Sequence, residues 1–295
     1  MKRIHCEGAP RDLGRDHGSA LRDEIRAAVG AGTLARRLAA LRGDAATRRL
    51  HRDLRRYFPH QSEWLEGMAR AAGVPRRALL RALAAAAGPD APPAAVLAAS
   101  AADALRVALP VPASAVLRHV RPEGRFASVE LALPTASAPL AGVSEAGLAV
   151  AVLPRGPRPG RFAPPVSLFA RDCLERFERV EPALEWCLSR PAAAGGALLL
   201  ADASGEFVGV DAAAPERQPM VSSSTGWLAL GAAALEPFEW PKREIGDAEE
   251  LECALVTTLA AASPHAGAAL LLDPVGRRLR LAGADWLLAA GGGTP

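Results

Sequence analysis

Several residue types are scarce in this chain of 295 residues, and each scarcity excludes a class of protein. Lysine occurs only as Lys2 and Lys242, so arginine carries nearly all of the positive charge, a bias typical of a GC-rich genome. Aromatic residues make up 4% of the chain, too few for a platform on which nucleic-acid bases could stack. The formal net charge is only +3. We therefore expect no nucleic-acid partner.

Long apolar runs and paired cysteines are also missing. No apolar stretch is long enough to span a bilayer, and no hydrophobic run follows the basic residues at the start of the sequence, so we expect neither a membrane association nor a signal peptide. The four cysteines, Cys6, Cys173, Cys187 and Cys253, form no CxxC pair, which disfavours a zinc site. The last three fall in predicted helices and are expected in the core. This usage is typical of a reducing cytoplasm, and no cofactor or metal is implied.

The densest cluster of positive charge lies in the first quarter of the chain, between Arg36 and Arg56. Its arginines alternate with apolar residues at helical spacing. We interpret this pattern as the solvated face of an amphipathic helix, and a nucleic-acid footprint is the alternative interpretation.

Helical periodicity dominates the first third of the sequence. Leu13, His17, Leu21 and Ile25 recur at three- and four-residue spacing, which predicts a helix with one apolar face. Glycines four residues apart, within Gly14–Gly18, would let this helix pack closely against another element. His17 lies between them, where a packed structural histidine is the usual role.

Strand patterns dominate the rest of the sequence. Hairpins are predicted at Ala141–Leu153, Ala197–Asp211 and Ala268–Ala282, each with glycine in its turn. One or two helices are predicted over 166–190, and another over Glu249–Ala261. Helices grouped in blocks beside antiparallel hairpins indicate an α+β layered fold.

Five segments, in the order in which they occur, carry a family resemblance. They are the Gly-x-Pro-x-x-x-Gly-x-x-His-Gly pattern at Gly8–Gly18, the Phe-Pro-His stretch and the helix ending in Ala-Gly-Val at Phe58–Val74, the turn at Ser144–Leu148, and the hairpins at Gly195–Gly205 and Asp273–Leu279. Together they resemble the penicillin acyltransferase-like branch of the N-terminal-nucleophile (Ntn) hydrolases, the family of acyl-coenzyme A:6-aminopenicillanate acyltransferase.

The resemblance implies a four-layer αββα sandwich of the Ntn-hydrolase type in a single domain over residues 1–295. Residues 1–88 would be the helical segment that corresponds to the family's pro-segment, and 94–295 the body of sheets and helices. Members of this family cut their own chain before a cysteine. The new terminal thiol attacks an amide or thioester, and its α-amino group acts as the base.

The residues that this chemistry needs are replaced in this chain. The interval where the nucleophile is expected, Pro89–Ser100, holds no cysteine. The stretch that would supply an acidic partner corresponds to the apolar Val107–Ala113, and the asparagine that holds the oxyanion corresponds to Ser224. We therefore predict a divergent, non-catalytic member of the family that binds a ligand or acts as a partner or scaffold. The resemblance implies a small amide or acyl molecule, or a protein, as the partner.

The alternative prediction is an active amide hydrolase or acyltransferase with a relocated nucleophile, either Ser100 or Cys6. The candidate catalytic residues are Cys6, His17, Ser100, Asp103 and Ser224. The candidate substrate-pocket residues are Ser144, Glu145 and Arg155.

Overall fold

The computed structural model describes ten stretches of the chain. They are residues 1–30, 44–85, 95–101, 104–154, 164–190, 196–211, 227–231, 245–262, 268–281 and 287–289. Of the candidate residues, Asp103, Arg155 and Ser224 lie outside these stretches.

A short strand and a group of helices open the chain. In the described stretches strand β1 is followed by five helices, and the bounds are β1 Arg3–Gly8, α1 Pro10–Ala20, α2 Arg22–Gly30, α3 Asp44–Tyr57, α4 Pro59–Ala72 and α5 Arg76–Ala85. Pro10 and Pro59 stand at the first position of α1 and α4, where a missing N–H leaves no hydrogen bond unmade. Helix α4 ends at Gly73, whose φ of 69° gives the left-handed cap that favours glycine.

Close packing of α1 against α4 fixes this helical group, as the glycine spacing predicted. A methyl group at Gly14 or Gly18 would overlap backbone atoms of Trp64 or Met68 on α4, and one at Gly67 would overlap the carbonyl oxygen of Arg11 on α1. The two helix backbones can therefore approach each other only because these residues have no side chain.

A seven-stranded sheet forms one layer of the body. Its strands are β1, β4 Val116–Pro122, β5 Ser128–Ala132, β6 Ala141–Ser144, β7 Ala149–Pro154, β8 Gly196–Ala201 and β9 Phe207–Asp211, in that spatial order. Strand β1 pairs in parallel with β4, whereas the other neighbours are antiparallel. The sheet therefore begins with a strand that precedes the N-terminal helices in sequence.

A six-stranded sheet forms the second layer. Its order is β10 Trp227–Gly231, β2 Ala95–Ala101, β3 Ala104–Pro110, β11 Ala269–Asp273, β12 Arg278–Leu281 and β13 Leu287–Ala289, antiparallel throughout. The remaining helices are α6 Ser167–Arg176, α7 Val180–Ser189 and α8 Ala248–Ala262.

The four layers follow from where the apolar residues are buried. Alternate residues of both sheets form one shared core between them, including Val96, Val107, Leu117, Val129 and Leu199. The other side of the seven-stranded sheet packs against α1, α4, α6 and α7. The other side of the six-stranded sheet packs against α8. The αββα sandwich that the sequence resemblance implies is confirmed.

Three details differ from the expectations. Cys253 lies in α8, as predicted, but is exposed. Pro154, which follows the predicted hairpin Ala141–Leu153, is the last residue of β7, opposite Gly196. Strand β3 was not recognised because its run ALRVALP shows no clear alternation. No helix in the described stretches is both long and apolar enough to cross a bilayer.

Candidate functional site

Charged side chains are buried beneath the helices, on the side of the seven-stranded sheet that faces away from the second sheet. Arg118 of β4 and Glu130 of β5 occupy neighbouring strands, where they are register partners. Arg171 comes from α6, above them. All three side chains are completely buried. With Ser128 and Trp64 they form what we call the buried ionic cluster.

Glu130 is the centre of the cluster. Its carboxylate accepts hydrogen bonds from Arg118 Nε at 2.7 Å, Arg171 Nη2 at 2.8 Å and Ser128 Oγ at 2.7 Å. Arg171 Nη1 lies 2.8 Å from the other carboxylate oxygen. The two guanidinium groups keep the pKa of Glu130 below its ordinary value, although burial alone would raise it. Glu130 is therefore ionised, and the cluster is an Arg–Glu–Arg triad.

Further donors of the two arginines are directed at backbone carbonyl groups, and both guanidinium groups lie beside an aromatic ring, whereas Arg171 Nε has no hydrogen-bond partner among the described residues. Arg118 donates to the carbonyl oxygens of Ala136 and Ser137, and Arg171 donates to that of Ser137. The Trp64 ring lies 5.1 Å from the Arg118 guanidinium carbon and 4.5 Å from that of Arg171. The negative ring face compensates part of the excess positive charge.

His17 of α1 extends the cluster and is wholly buried. Its Nδ1 lies 3.2 Å from Arg118 Nη1, and its Nε2 lies 2.9 Å from the carbonyl oxygen of Pro134. Because an arginine can only donate, Nδ1 accepts and Nε2–H donates. Burial and the Arg118 charge lower the pKa of His17 to about 3. The ring is neutral, and both of its nitrogens are engaged.

Cys6 of β1 lies on the same side of the sheet, opposite Val120 in the register with β4. It is 1% exposed. Burial raises the pKa of its thiol to about 12, although the charges of Arg118 and Arg171 act in the opposite direction. The reactive form of cysteine is the thiolate, and this environment suppresses it.

A second group of carboxylates connects the cluster to the surface at α6. Asp172 Oδ1 lies 2.7 Å from His60 Nε2 and accepts a hydrogen bond from Gln61, and Glu175 lies 3.5 Å from Arg171. Burial raises the pKa of Glu175, although the charge of Arg171 opposes the shift. Asp172 and Glu175 balance positive charge at this end of the cluster.

This arrangement of residues is suited to stabilising the fold. An ion triad, a neutral histidine and a protonated thiol are packed together, but none of them reaches solvent. A catalytic acid, base or nucleophile must come within hydrogen-bond reach of a substrate. Cys6 and His17 both lie near Arg118, in the core. No group of three or more metal-ligating side chains occurs among the described residues.

No family model matches this chain. A search of curated proteins likewise finds no match. Among solved structures, it is similar to a variant of the conjugated bile acid hydrolase from Clostridium perfringens, with 11% identity and a TM-score of 0.46, over 66% of this chain and 91% of that one.

Two further structures show similarity of the same order. One is the Caenorhabditis elegans ortholog of N-acylethanolamine-hydrolyzing acid amidase, with 15% identity and a TM-score of 0.45, over 61% of this chain and 93% of that one. The other is penicillin V acylase from Agrobacterium tumefaciens, with 13% identity and a TM-score of 0.44, over 64% and 82%. Similarity of this degree assigns no activity to this chain.

Two of the predicted substrate-pocket residues stabilise turns of the seven-stranded sheet. Ser144 is fully buried at the end of β6, and its Oγ accepts a hydrogen bond from the N–H of Leu148 at 3.2 Å. Glu145 is partly buried, and its Oε1 accepts from the N–H of Ala127 at 2.9 Å. Gly147 completes the turn with a φ of 92°. These contacts hold the β6–β7 hairpin against the start of β5.

Ser100 lies in the other sheet, near the end of β2 and opposite Leu105 of β3. It is partly exposed. It follows Val96 and Ala98 on the side of β2 that faces the first sheet. The start of β2, where the family resemblance would place a nucleophile, is Ala95. Cys6 and Ser100 therefore belong to different sheets.

The buried ionic cluster was not recognised from the sequence, although a signal for it exists. Arg118 and Glu130 interrupt runs of buried apolar residues in β4 and β5, and Arg171 interrupts an apolar stretch of α6. Charged residues at such positions are almost never fully buried unless they are paired. Two arginines and one glutamate at such positions therefore predict an internal ion network.

Proposed function

We propose that this chain is a non-catalytic protein of the Ntn-hydrolase superfamily, in which the αββα sandwich serves as a binding or scaffold unit. One observation carries the proposal. Between Ser62 and Ser100 the sequence contains no cysteine, serine or threonine. This interval runs from within α4 to β2, the strand of the six-stranded sheet that comes first in the sequence. An N-terminal nucleophile at the start of β2 would have to come from this interval, and alanine and proline have no nucleophilic atom.

The surroundings of Cys6 support the proposal. Its thiol is buried, its pKa is about 12, and the only histidine of the buried cluster donates and accepts hydrogen bonds elsewhere. A nucleophilic cysteine needs a lowered pKa and access to the substrate. The ligand class that the family resemblance implies is a small amide or acyl molecule.

The mass of the intact, denatured chain tests the proposal first. We expect one species at the full-length mass of about 30.6 kDa, apart from loss of Met1. Two fragments, or loss of the first five residues to expose Cys6, would contradict the proposal. The mass of the new fragment would identify its N-terminal residue and therefore the nucleophile.

A second measurement tests for a nucleophile that acts without self-cleavage of the chain. Hydrolysis of a panel of N-acyl amides by the purified chain is compared with that of the Cys6→Ala/Ser100→Ala double variant. We expect equal, background rates. A rate that falls to background in the variant would instead assign the activity to one of these two residues.

A further inference from the structure

Arginine side chains cover the outer surface of α3 and α5. Helix α3 buries Leu50 and Leu54 against the other helices. Its opposite face exposes five arginines, namely Arg48, Arg49, Arg52, Arg55 and Arg56. The only acidic residues of α3 are Asp44 and Asp53, and α5 carries three arginines and no acidic residue. The two helices pack together, so their charges add.

A hollow of about 430 Å³ opens on this surface. The described residues that line it are Arg48, His51, Arg52, Arg55 and Arg56. We call it the arginine hollow. No carboxylate is among these lining residues. Asp53 pairs with one of the lining arginines, since its Oδ1 lies 3.4 Å from Arg52 Nε.

Two polar atoms next to the hollow have no hydrogen-bond partner among the described residues. They are Nε2 of His51 and Nε of Arg76, and both are buried. Burial and the charges of Arg76 and Arg55 lower the pKa of His51. Burial also lowers the pKa of Arg76, with Arg55 acting in the same direction and Glu66 opposing it. A buried polar atom without a partner costs free energy, and so does the mutual repulsion of the cations.

We propose that the arginine hollow binds a small anion that carries two or more phosphate groups. The planar guanidinium group donates paired hydrogen bonds that match phosphate oxygens, and a bound anion would relieve the repulsion between Arg55 and Arg76 and offer His51 Nε2 a hydrogen-bond partner. The volume suits a small molecule.

The same surface fits a nucleic acid or a membrane less well. From Arg48 to Arg56 the helix rises only about 12 Å, which is short for a duplex footprint. Tyr57 is the only tyrosine in the chain, and Arg56 stacks on its ring at 5.2 Å. The only large apolar side chains exposed in the described stretches, Met1 and Val275, lie outside this surface, so it offers none for insertion into lipid.

Calorimetric titration of the full-length chain with inorganic tripolyphosphate tests the proposal. We expect saturable binding at one site per chain. The Arg55→Ala variant should weaken it about tenfold or more, because Arg55 lines the hollow and also acts on His51 and Arg76. Arg55 is exposed, so the substitution should leave the thermal unfolding temperature unchanged. Arg22→Ala, which removes an exposed arginine of α2 outside the hollow, should leave binding unchanged.

Three results would overturn the proposal. They are the absence of saturable heat, an equal loss of affinity in Arg22→Ala, and tighter binding of a DNA duplex or of phosphatidylserine vesicles than of tripolyphosphate. The last result would assign the surface to a macromolecular polyanion or a lipid surface. Binding at this hollow is separate from self-cleavage, so its failure would leave the proposed function unaffected.

Discussion

The two faces of the seven-stranded sheet use opposite means to fill a buried space. Leu117 and Val129 point to the second sheet and meet only apolar side chains. Their sequence neighbours Arg118 and Glu130 point to the helices and form an ion triad with Arg171. A sheet packed on a sheet supplies few free polar groups, because backbone atoms are used in the ladders. The helix side adds side chains and the loop carbonyls of Ala136 and Ser137. Among the described residues, the fully buried charges next to this sheet lie on that side.

The largest expected effect on stability comes from a substitution at the centre of the ion triad. Glu130→Gln keeps the side-chain shape but leaves the buried guanidinium of Arg118 without its carboxylate partner and that of Arg171 with only Glu175, at 3.5 Å. We expect a loss of about 3–5 kcal/mol in the free energy of unfolding, measured by urea denaturation. The control is Glu123→Ala, an exposed carboxylate beyond the end of β4, with an expected change within about 0.5 kcal/mol. A similar loss in both variants would mean that the triad contributes nothing specific.

The inter-sheet face is tested by a truncation of an apolar side chain. Leu199 of β8 is fully buried there, in the apolar core between the two sheets. Leu199→Ala removes buried methyl groups and leaves a cavity, so we expect a loss of about 3 kcal/mol in the same urea assay. Leu199→Met, which keeps the volume, should cost less than about 1.5 kcal/mol. If the Met variant were as unstable as the Ala variant, packing volume would not be what this face requires.

The same contrast explains which features the sequence predicts. Helices and hairpins with clear period and glycine turns were predicted, including Gly147 in the turn and the close approach at Gly14. Strand β3 was not recognised because both of its faces are buried, so apolar and small residues follow one another without alternation. Whether Cys253 faces solvent or the core depends on how α8 lies on the six-stranded sheet, and no local sequence pattern encodes this.

The candidate site was less predictable than the fold. His17 was predicted as a packed histidine, and the structure places it in the core. Its partner Arg118 is 101 residues away in sequence, so no spacing could connect them. Ser144 and Glu145 were interpreted as pocket residues from their place in a motif. Their hydrogen bonds to backbone N–H groups give them a structural role. The bond of Glu145 goes to Ala127 at the start of β5, which only sheet pairing brings close.

The pH dependence of stability tests the helix side of the sheet, because His17 is a fully buried titrating group there. The pKa of His17 is about 3 in the folded chain, well below the ordinary 6.5 that applies when it is unfolded. Between these values the unfolded chain binds the additional proton. The contribution of His17 is therefore full above pH 6.5 and is lost as the pH falls towards 3.

At pH 5 this loss should reach about 2 kcal/mol relative to pH 7. His17→Gln keeps an acceptor and a donor but does not titrate, so its urea-derived unfolding free energy should fall less over the same range. Parallel curves for the two proteins would show that His17 is protonated in the folded state, in contradiction to its hydrogen bonds.

The smallest expected effect concerns the thiols, since it changes reactivity and leaves stability almost unchanged. Cys6, Cys173 and Cys187 are buried on the helix side of the seven-stranded sheet, whereas Cys253 is exposed on α8. The sulfur atoms of Cys173 and Cys187 lie 3.6 Å apart, and this contact together with burial raises the pKa of Cys173. Ellman's reagent should therefore modify one thiol in the native chain, none in the native Cys253→Ser variant, and all four in the denatured unsubstituted chain.

Rapid modification of native Cys253→Ser at Cys6 would show an accessible thiolate beside the ionic cluster. That single result would favour a relocated nucleophile over a structural cysteine, because burial and a high pKa both require the thiol of Cys6 to be inert.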